Sequence, residues 1–203
     1  KPFYQLETSR GCSGRCTFCT SSQSNGVIML SLDRIRADLH IIAAAGVSEI
    51  RILDRTFNES RTRTLALLAI FRDEFPQLRF HLEVNPARLP EDLFAMLRSF
   101  PPGHLHLEAG IQTFNAASLR AVRRPASATR TITGLRRLIS CDNLGIHADL
   151  IAGLPEQHLH DVINDLDILI AAGPQEIQLE NLKILPGTPL AYNLPNGTIH
   201  NPE

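Results

Sequence analysis

Three of the four cysteines fall within eight residues, in the run Cys12-Ser-Gly-Arg-Cys16-Thr-Phe-Cys19, while Cys141 stands far away. Three thiols on one short loop suit few chemistries. A disulfide framework would leave one of them unpaired, and nothing else in the sequence suggests a secreted protein. A structural zinc site wants four ligands, commonly from two paired motifs. No second Cys or His pair exists; His104 and His106 flank Leu105 in what reads as a strand. An iron–sulfur cluster fits better, because thiolates on a short loop each hold a different iron of one cube. Three thiolates for four irons leave one iron open, and an open metal position is where a substrate or cofactor binds. The alternative is an iron–sulfur or zinc-binding loop without further chemistry.

Such a loop needs a scaffold, and the rest of the sequence supplies one. Short β-rich runs recur at Phe3–Thr8, Glu49–Asp54, Arg79–Val84, Leu105–Gly110, Gly145–Ala152 and Glu176–Leu182. Helical patterns lie between them. Ser31 is placed to cap a helix with apolar Leu32, Ile35, Leu39 and Ile42, and Ser60 to cap one with Leu65, Leu68 and Phe71 inward. Pro90-Glu91-Asp92 reads as a first helical turn, and helices also fit Asn115–Val122, Ser127–Ile139 and His158–Ala172. A weak repeat relates residues 41–53 to 169–180: a helix end, a glycine stop and a buried strand. Strand alternating with helix predicts an α/β fold with parallel strands. Six units of about 30 residues fit the length, where a closed eight-unit barrel usually needs roughly 250. The expectation is a partial, open (β/α)6 TIM-like barrel over residues 1–190, followed by a turn-rich tail or severed linker over 191–203.

Composition narrows the class further. The 203 residues are 43% hydrophobic and 20% charged with a formal net charge of −1. That suits a globular core and excludes a disordered chain or a disulfide scaffold. No apolar run reaches the roughly 18 residues of a membrane span, so no membrane partner is expected. The first residue is Lys1, not Met, and a piece of a longer protein is expected.

In this architecture functional residues gather where strands end and helices begin. The cysteine loop follows the first strand. Glu83 in Glu83-Val-Asn-Pro86, Gln112 in Gly110-Ile-Gln-Thr-Phe114 and Asp149 in Asp149-Leu-Ile-Ala-Gly-Leu-Pro155 lie near later strand ends. Strand side chains alternate faces, so only some of these need point into the barrel mouth.

The spacing C-x3-C-x2-C with Phe18 before the last cysteine resembles the signature of the radical S-adenosylmethionine (SAM) superfamily. The segments around Glu83, Gln112 and Asp149 resemble the cofactor-binding strands of oxygen-independent coproporphyrinogen III oxidases. The resemblance covers residues 1–190 and implies a [4Fe–4S] cluster on Cys12, Cys16 and Cys19. It implies SAM on the open iron, reductive cleavage to a 5′-deoxyadenosyl radical, and hydrogen abstraction from a substrate the sequence does not name. It further implies Glu83 for the methionyl amino group or nearby ribose, and Gln112 and Asp149 for the ribose hydroxyls. For the SAM carboxylate it implies Arg124, with Arg123 as its neighbouring alternative; guanidinium forks bind carboxylates bidentately. Phe18 counts among the cofactor-binding residues, and Gly187-Thr188-Pro189 resembles a stretch whose backbone lies near adenine. An electron donor of flavodoxin or ferredoxin type and a reducing cytoplasm are the implied partner and location.

One departure stands out. Most of the superfamily carries a Gly-Gly-Glu-like segment after the second strand, where this sequence reads Leu53-Asp-Arg-Thr-Phe-Asn58. Asp54 is left there to offer the cofactor a carboxylate or a backbone carbonyl, on a loop bulkier than two glycines. Asp-x-x-Phe at this place, and Thr8-Ser-Arg-Gly-Cys12 ahead of the cluster, are similar to cobalamin-linked radical SAM proteins. That similarity implies cobalamin in an upstream domain of the parent.

The remaining candidates read as structural. Cys141 is expected as a small buried residue, and His81, His104, His106 and His147 as packed or capped strand residues, not ligands. Arg120, Arg123, Arg124, Arg130, Arg136 and Arg137 form a basic run with no acid between Arg120 and Arg137, most simply a solvated helix face. A nucleic-acid partner is not expected, with an RNA-modifying enzyme as the alternative; two tyrosines and no tryptophan offer no stacking platform.

Overall fold

The chain leaves its first strand, β1 (Tyr4–Leu6), and almost at once enters a two-stranded antiparallel ribbon of β2 (Ser9–Arg10) and β3 (Ile28–Met29). That ribbon closes the cysteine loop at its base. Five more strands follow: β4 (Glu49–Ile52), β5 (Arg79–Val84), β6 (Leu105–Gln112), β7 (Leu144–Ala152) and β8 (Glu176–Asn181). The computed structural model describes residues 3–124 and 126–193. In it these five and β1 form one parallel sheet in the order β1-β4-β5-β6-β7-β8. Spatial order follows chain order, as right-handed crossovers between neighbours produce. Among the described residues β1 and β8 do not pair, so the barrel is open.

The crossovers are α1 (Leu32–Ala44), α2 (Arg61–Asp73), α3 (Glu91–Arg98), α4 (Ala116–Ala121), α5 (Ala128–Ile139) and α6 (Leu159–Ala172). Ser31 caps α1 through Arg34 N, and Asn115 caps α4 through Ala117 N and Ser118 N. Ser60 precedes α2 as expected, but its side chain makes no capping bond. Its carbonyl instead accepts from the Thr64 backbone N–H and hydroxyl at 2.8 Å each. Both glycine stops of the repeat, Gly46 and Gly173, lie in the left-handed region at φ 76° and 77°, where a side chain would be strained.

The alternation of strand side chains divides the sheet into two chemically different faces. Ile50, Leu82, Leu107, Ile146 and Ala148 are wholly buried beneath Leu39 of α1, Leu68 of α2 and Leu135 and Leu138 of α5. The core therefore lies between sheet and helices, and truncating one such residue, as in Leu82→Ala, costs about 2–5 kcal/mol. The opposite, concave face carries His81, Glu83, His106, Glu108, His147 and Asp149, all partly buried. Of the histidines expected as packed or capped strand residues, His81, His106 and His147 face the lumen, His81 stacked on His106 and bonded to Glu108, while His104 lies just ahead of β6. Cys141 is buried as expected, its thiol against the Arg137 carbonyl.

A further difference lies at the C-terminal end. Residues 189–192 form a short helix, α7 (Pro189–Tyr192), capped by the buried Thr188. The turn signals did not predict it, because Pro at the first helical position suits a helix as well as a turn. The turn-rich tail expected over 191–203 begins inside α7, and its residues 194–203 lie outside the described residues. No helix among those described is long and apolar enough to cross a membrane.

Candidate functional site

The cysteine loop is fastened at both ends by groups far away in sequence. Asp54, just past β4, is 2% exposed and accepts four hydrogen bonds. They come from Thr8 N (2.7 Å), Thr8 Oγ1 (2.5 Å), Ser9 N (2.8 Å) and Ser9 Oγ (2.7 Å). Arg63 of α2 reaches the Thr8 and Leu30 carbonyls at 2.8 and 2.7 Å, on the two sides of the ribbon. Within the loop, Cys12 N bonds Ser24 Oγ and Cys19 N bonds the Cys16 carbonyl. Thr17 N donates to the Val122 carbonyl, and Leu190 N to the Thr17 carbonyl. The residues beside Gly187-Thr188-Pro189 are thereby held against the loop.

These contacts turn the loop over the mouth of the barrel. Cys12, Cys16, Phe18, Cys19, Glu83, Gln112, Arg124 and Asp149 all line one cavity. All three thiols are free. Glu83 comes from the end of β5 and Gln112 from the end of β6. Asp149 lies inside β7, in register with Gly110. Gln112 stands at φ 71°, beside the irregular register at Gly110 and Gln112; for a non-glycine residue this is a strained conformation. Behind it Asp165 of α6 takes Thr113 Oγ1 at 2.6 Å and Phe114 N at 3.0 Å, which holds the turn.

Arg124 lies beyond α4, in the segment before α5. One terminal nitrogen donates to the Gly110 carbonyl and the other lies 3.9 Å from the Cys16 sulfur. Its Nε is buried with no hydrogen-bond partner. Arg123 is exposed and does not line the cavity.

Three carboxyl groups crowd the mouth. Glu83 is pushed above the usual carboxylate range by burial and then by Glu108. The hydrogen bond from His81 Nε2 to Glu108 Oε2, 2.8 Å, holds Glu108 below that range. Asp149 is pushed up to about 8, first by burial and then by the Glu108 charge. Like charges in a poorly solvated site cannot all ionise. The His81 bond favours the charged form of Glu108, while burial and the Glu108 charge disfavour that of Asp149.

The donor set fits a [4Fe–4S] cluster with SAM. A side chain at position 14 would meet the Cys12 sulfur at 3.3 Å and the Cys16 sulfur at 3.9 Å, so Gly14 keeps the space between these thiols open. The unpartnered Arg124 Nε is a cation beside it with donor capacity to spare. One expected residue does not fit. Asp54 is absent from the cavity lining and both its oxygens are taken by Thr8 and Ser9. Its carboxylate is a fastening for the loop and is not free to meet the cofactor, which leaves only the backbone carbonyl of Asp54 for that role.

The cavity also holds residues the sequence reading passed over: Ser13, Arg55, Thr56, Glu59, Asn85, Arg88 and Glu108. Glu59 joins two of them, taking Ser13 Oγ at 2.5 Å and Arg88 Nη1 at 2.7 Å. Asn58, 4% exposed, bonds Asn85 N, Asn85 O and Arg88 O at 2.8–2.9 Å. Only the departure at Leu53–Asn58 marked this stretch as unusual. The alternation of His106, Glu108 and Gly110 along β6 was the one signal that pointed Glu108 inward.

The family model described as the radical SAM superfamily matches residues 6–169. The chain belongs to the radical SAM superfamily. Enzymes of this superfamily use a [4Fe–4S] cluster and SAM. Among relatives, the ribosomal protein uS12 methylthiotransferase RimO of Moorella thermoacetica is 29% identical over 184 residues, 85% of this chain and 42% of RimO. The chain thus spans less than half of that relative. Among solved structures, the radical SAM methyltransferase TsrM of Kitasatospora setae, with cobalamin and a [4Fe–4S] cluster bound, superposes with TM-score 0.79. It is 18% identical, and the match covers 93% of this chain and 36% of TsrM. Coproporphyrinogen III oxidase HemN of Escherichia coli superposes with TM-score 0.64 at 21% identity, covering 91% of this chain and 44% of HemN. These likenesses bear out the radical SAM fold, a parallel six-stranded sheet with helices outside.

Proposed function

We propose that the chain is the catalytic core of a radical SAM enzyme of the iron–sulfur oxidoreductase type. The observation that carries this is the convergence of three free thiols with Glu83, Gln112, Arg124 and Asp149 on one cavity. Cys12, Cys16 and Cys19 hold the [4Fe–4S] cluster, which supplies the electron that cleaves SAM to a 5′-deoxyadenosyl radical able to take hydrogen from a substrate. Arg124 receives the SAM carboxylate with its free donor capacity, and Glu83 takes the amino group. Gln112 and Asp149 face the ribose, and Asp149 is suited to accept from its diol. Phe18, which lines the same cavity, packs against the bound cofactor. The reductant is a flavodoxin- or ferredoxin-type protein, and a reducing cytoplasm suits an oxygen-sensitive cluster. Cobalamin, which TsrM binds, belongs to a further domain of the parent if it is used.

Anaerobic reconstitution should give about four irons per chain and reductant-dependent 5′-deoxyadenosine. Cys16→Ala should abolish both. A cluster whose reduced spectrum ignores SAM would support the alternative, a metal-binding module without radical chemistry.

An RNA substrate is the second reading. It rests on Arg120, Arg123, Arg130 and Arg136, which are exposed and make no ion pair among the described residues. Arg137 is excluded from that face, since it pairs with Glu91 at 2.6 Å and lies over the Phe94 ring. Salt-sensitive tRNA binding that weakens in an R130Q/R136Q variant would favour it.

A further inference from the structure

Below the cofactor cavity the lumen holds a second one, lined by His81, His106, Glu108, His147, Glu176 and Gln178 among others. Three of these stand apart from the reaction proposed above. One nitrogen each of His106 and His147 and one Glu176 oxygen lie within 4.8 Å of one another, with His147 Nδ1 3.7 Å from Glu176 Oε2. They come from three adjacent strands, β6, β7 and β8, which fixes their backbones by ladder hydrogen bonds. A tetrahedral dication with ligands at about 2.0–2.2 Å needs donor atoms somewhat over 3 Å apart, a change within reach of side-chain rotation.

We propose that His106, His147 and Glu176 form a metal site for a divalent transition cation of the zinc or ferrous class, with one coordination position open to the lumen. Two imidazoles and one carboxylate are the donor set such ions take when a position is left for another ligand.

The surroundings support the set. His147 Nε2 is buried without a hydrogen-bond partner and lies 3.1 Å from Asp149 Oδ1, which is likewise buried and unpartnered. The other ring nitrogen, Nδ1, faces the Glu176 carboxylate, which puts the ion on that side of the ring. Opposite His106 stands Gly145, where any side chain would meet His106 Nδ1 at 3.0 Å. The glycine makes room for the ring. His81 stacks on the other side of His106 at 4.8 Å between centroids. Glu176 is 61% exposed and His147 13%, so an ion can reach the site from solvent at the Glu176 side. Glu108 lines both cavities, which sets the metal one layer of side chains below the cofactor.

Thiolates also bind zinc, so the test separates the cysteine loop from the histidine cluster. The full chain, anaerobically reconstituted with its cluster, is loaded with Zn2+ at low micromolar concentration, desalted and assayed for zinc and iron. One zinc per chain beyond the cluster iron is expected, lost in Glu176→Gln and in His106→Gln, with unchanged iron and circular dichroism. A Cys12/Cys16/Cys19→Ser triple variant should retain one metal. Loaded with Co2+, it should show d–d bands but no thiolate-to-cobalt charge transfer. Zinc that survives in E176Q and H106Q, or that vanishes with the three cysteines, overturns the proposal. Because Glu176 is exposed on an edge strand, E176Q keeps the test open should H106Q fail to fold.

Discussion

The guanidinium of Arg124 lies 3.9 Å from the sulfur of Cys16, across 108 residues of chain. Burial raises the Cys16 thiol, while the arginine charge acts the other way. The same arginine is tied to the Gly110 carbonyl, so it is held at the cavity before any ligand arrives. Pre-positioning of this kind reduces the ordering cost of binding.

Arg124→Gln is therefore expected to weaken SAM binding to the reconstituted protein by about 10- to 100-fold. Charge-assisted hydrogen bonds contribute roughly 1.5–3 kcal/mol. Calorimetric titration with SAM measures it, and iron content should not change. Equal affinity in the variant would remove Arg124 from the cofactor site.

Asp54 gives a contrasting expectation. Its carboxylate receives four donors in a buried setting, and Asp54→Asn replaces an acceptor by a donor facing them. A loss of about 2–4 kcal/mol in folding stability is expected, read as a lower urea midpoint of the cluster-free protein. Cluster loading should fall with it, because the loop's base is released. A variant of parental stability with weakened SAM affinity would restore Asp54 as a cofactor contact.

Gln112 trades stability for position. At φ 71° it occupies a region glycine enters freely, so Gln112→Gly should raise the thermal midpoint, by on the order of 1 kcal/mol of stability. SAM affinity should drop at the same time. A destabilised variant would mean that the Gln112 side chain contributes more to the fold than its backbone costs.

The crowded carboxyls predict a pH dependence. Burial and Glu108 raise Glu83 in the folded state. A raised carboxyl adds stability that is fully present below the unfolded value, about 4.3, and lost as pH rises through the folded value. Glu83→Gln cannot ionise, so the variant should gain on the parent between pH 5 and pH 8. Urea midpoints of the cluster-free proteins at the two pH values check the sign; a gap that narrows contradicts it.

Much of the scaffold is legible in the amino-acid sequence. The period-2 runs at Arg79–Val84 and Leu105–Gly110 became strands, and the 3.6-period runs after Ser31 and Ser127 became helices, because both patterns record which side of an element meets the core. The three cysteines and the strand-end polar residues were visible for the same local reason: short spacings place them on one loop or one strand end. Contacts between distant residues were not visible. Nothing local in Leu53–Asn58 shows that the Asp54 carboxylate closes on Thr8 and Ser9, or that Asn58 ties down Asn85 and Arg88.

The amino-acid sequence by itself determined the class of chemistry and the alternation of elements. Thiol spacing and hydrophobic period are properties of neighbouring residues. The tertiary structure alone decided which polar side chains share space. It removed Asp54 from the cavity, added Glu59, Arg88 and Glu108, and set His106, His147 and Glu176 together on the lumen face. Parallel strands bring residues dozens of positions apart into register, and that register is set by how the whole sheet packs beneath its helices.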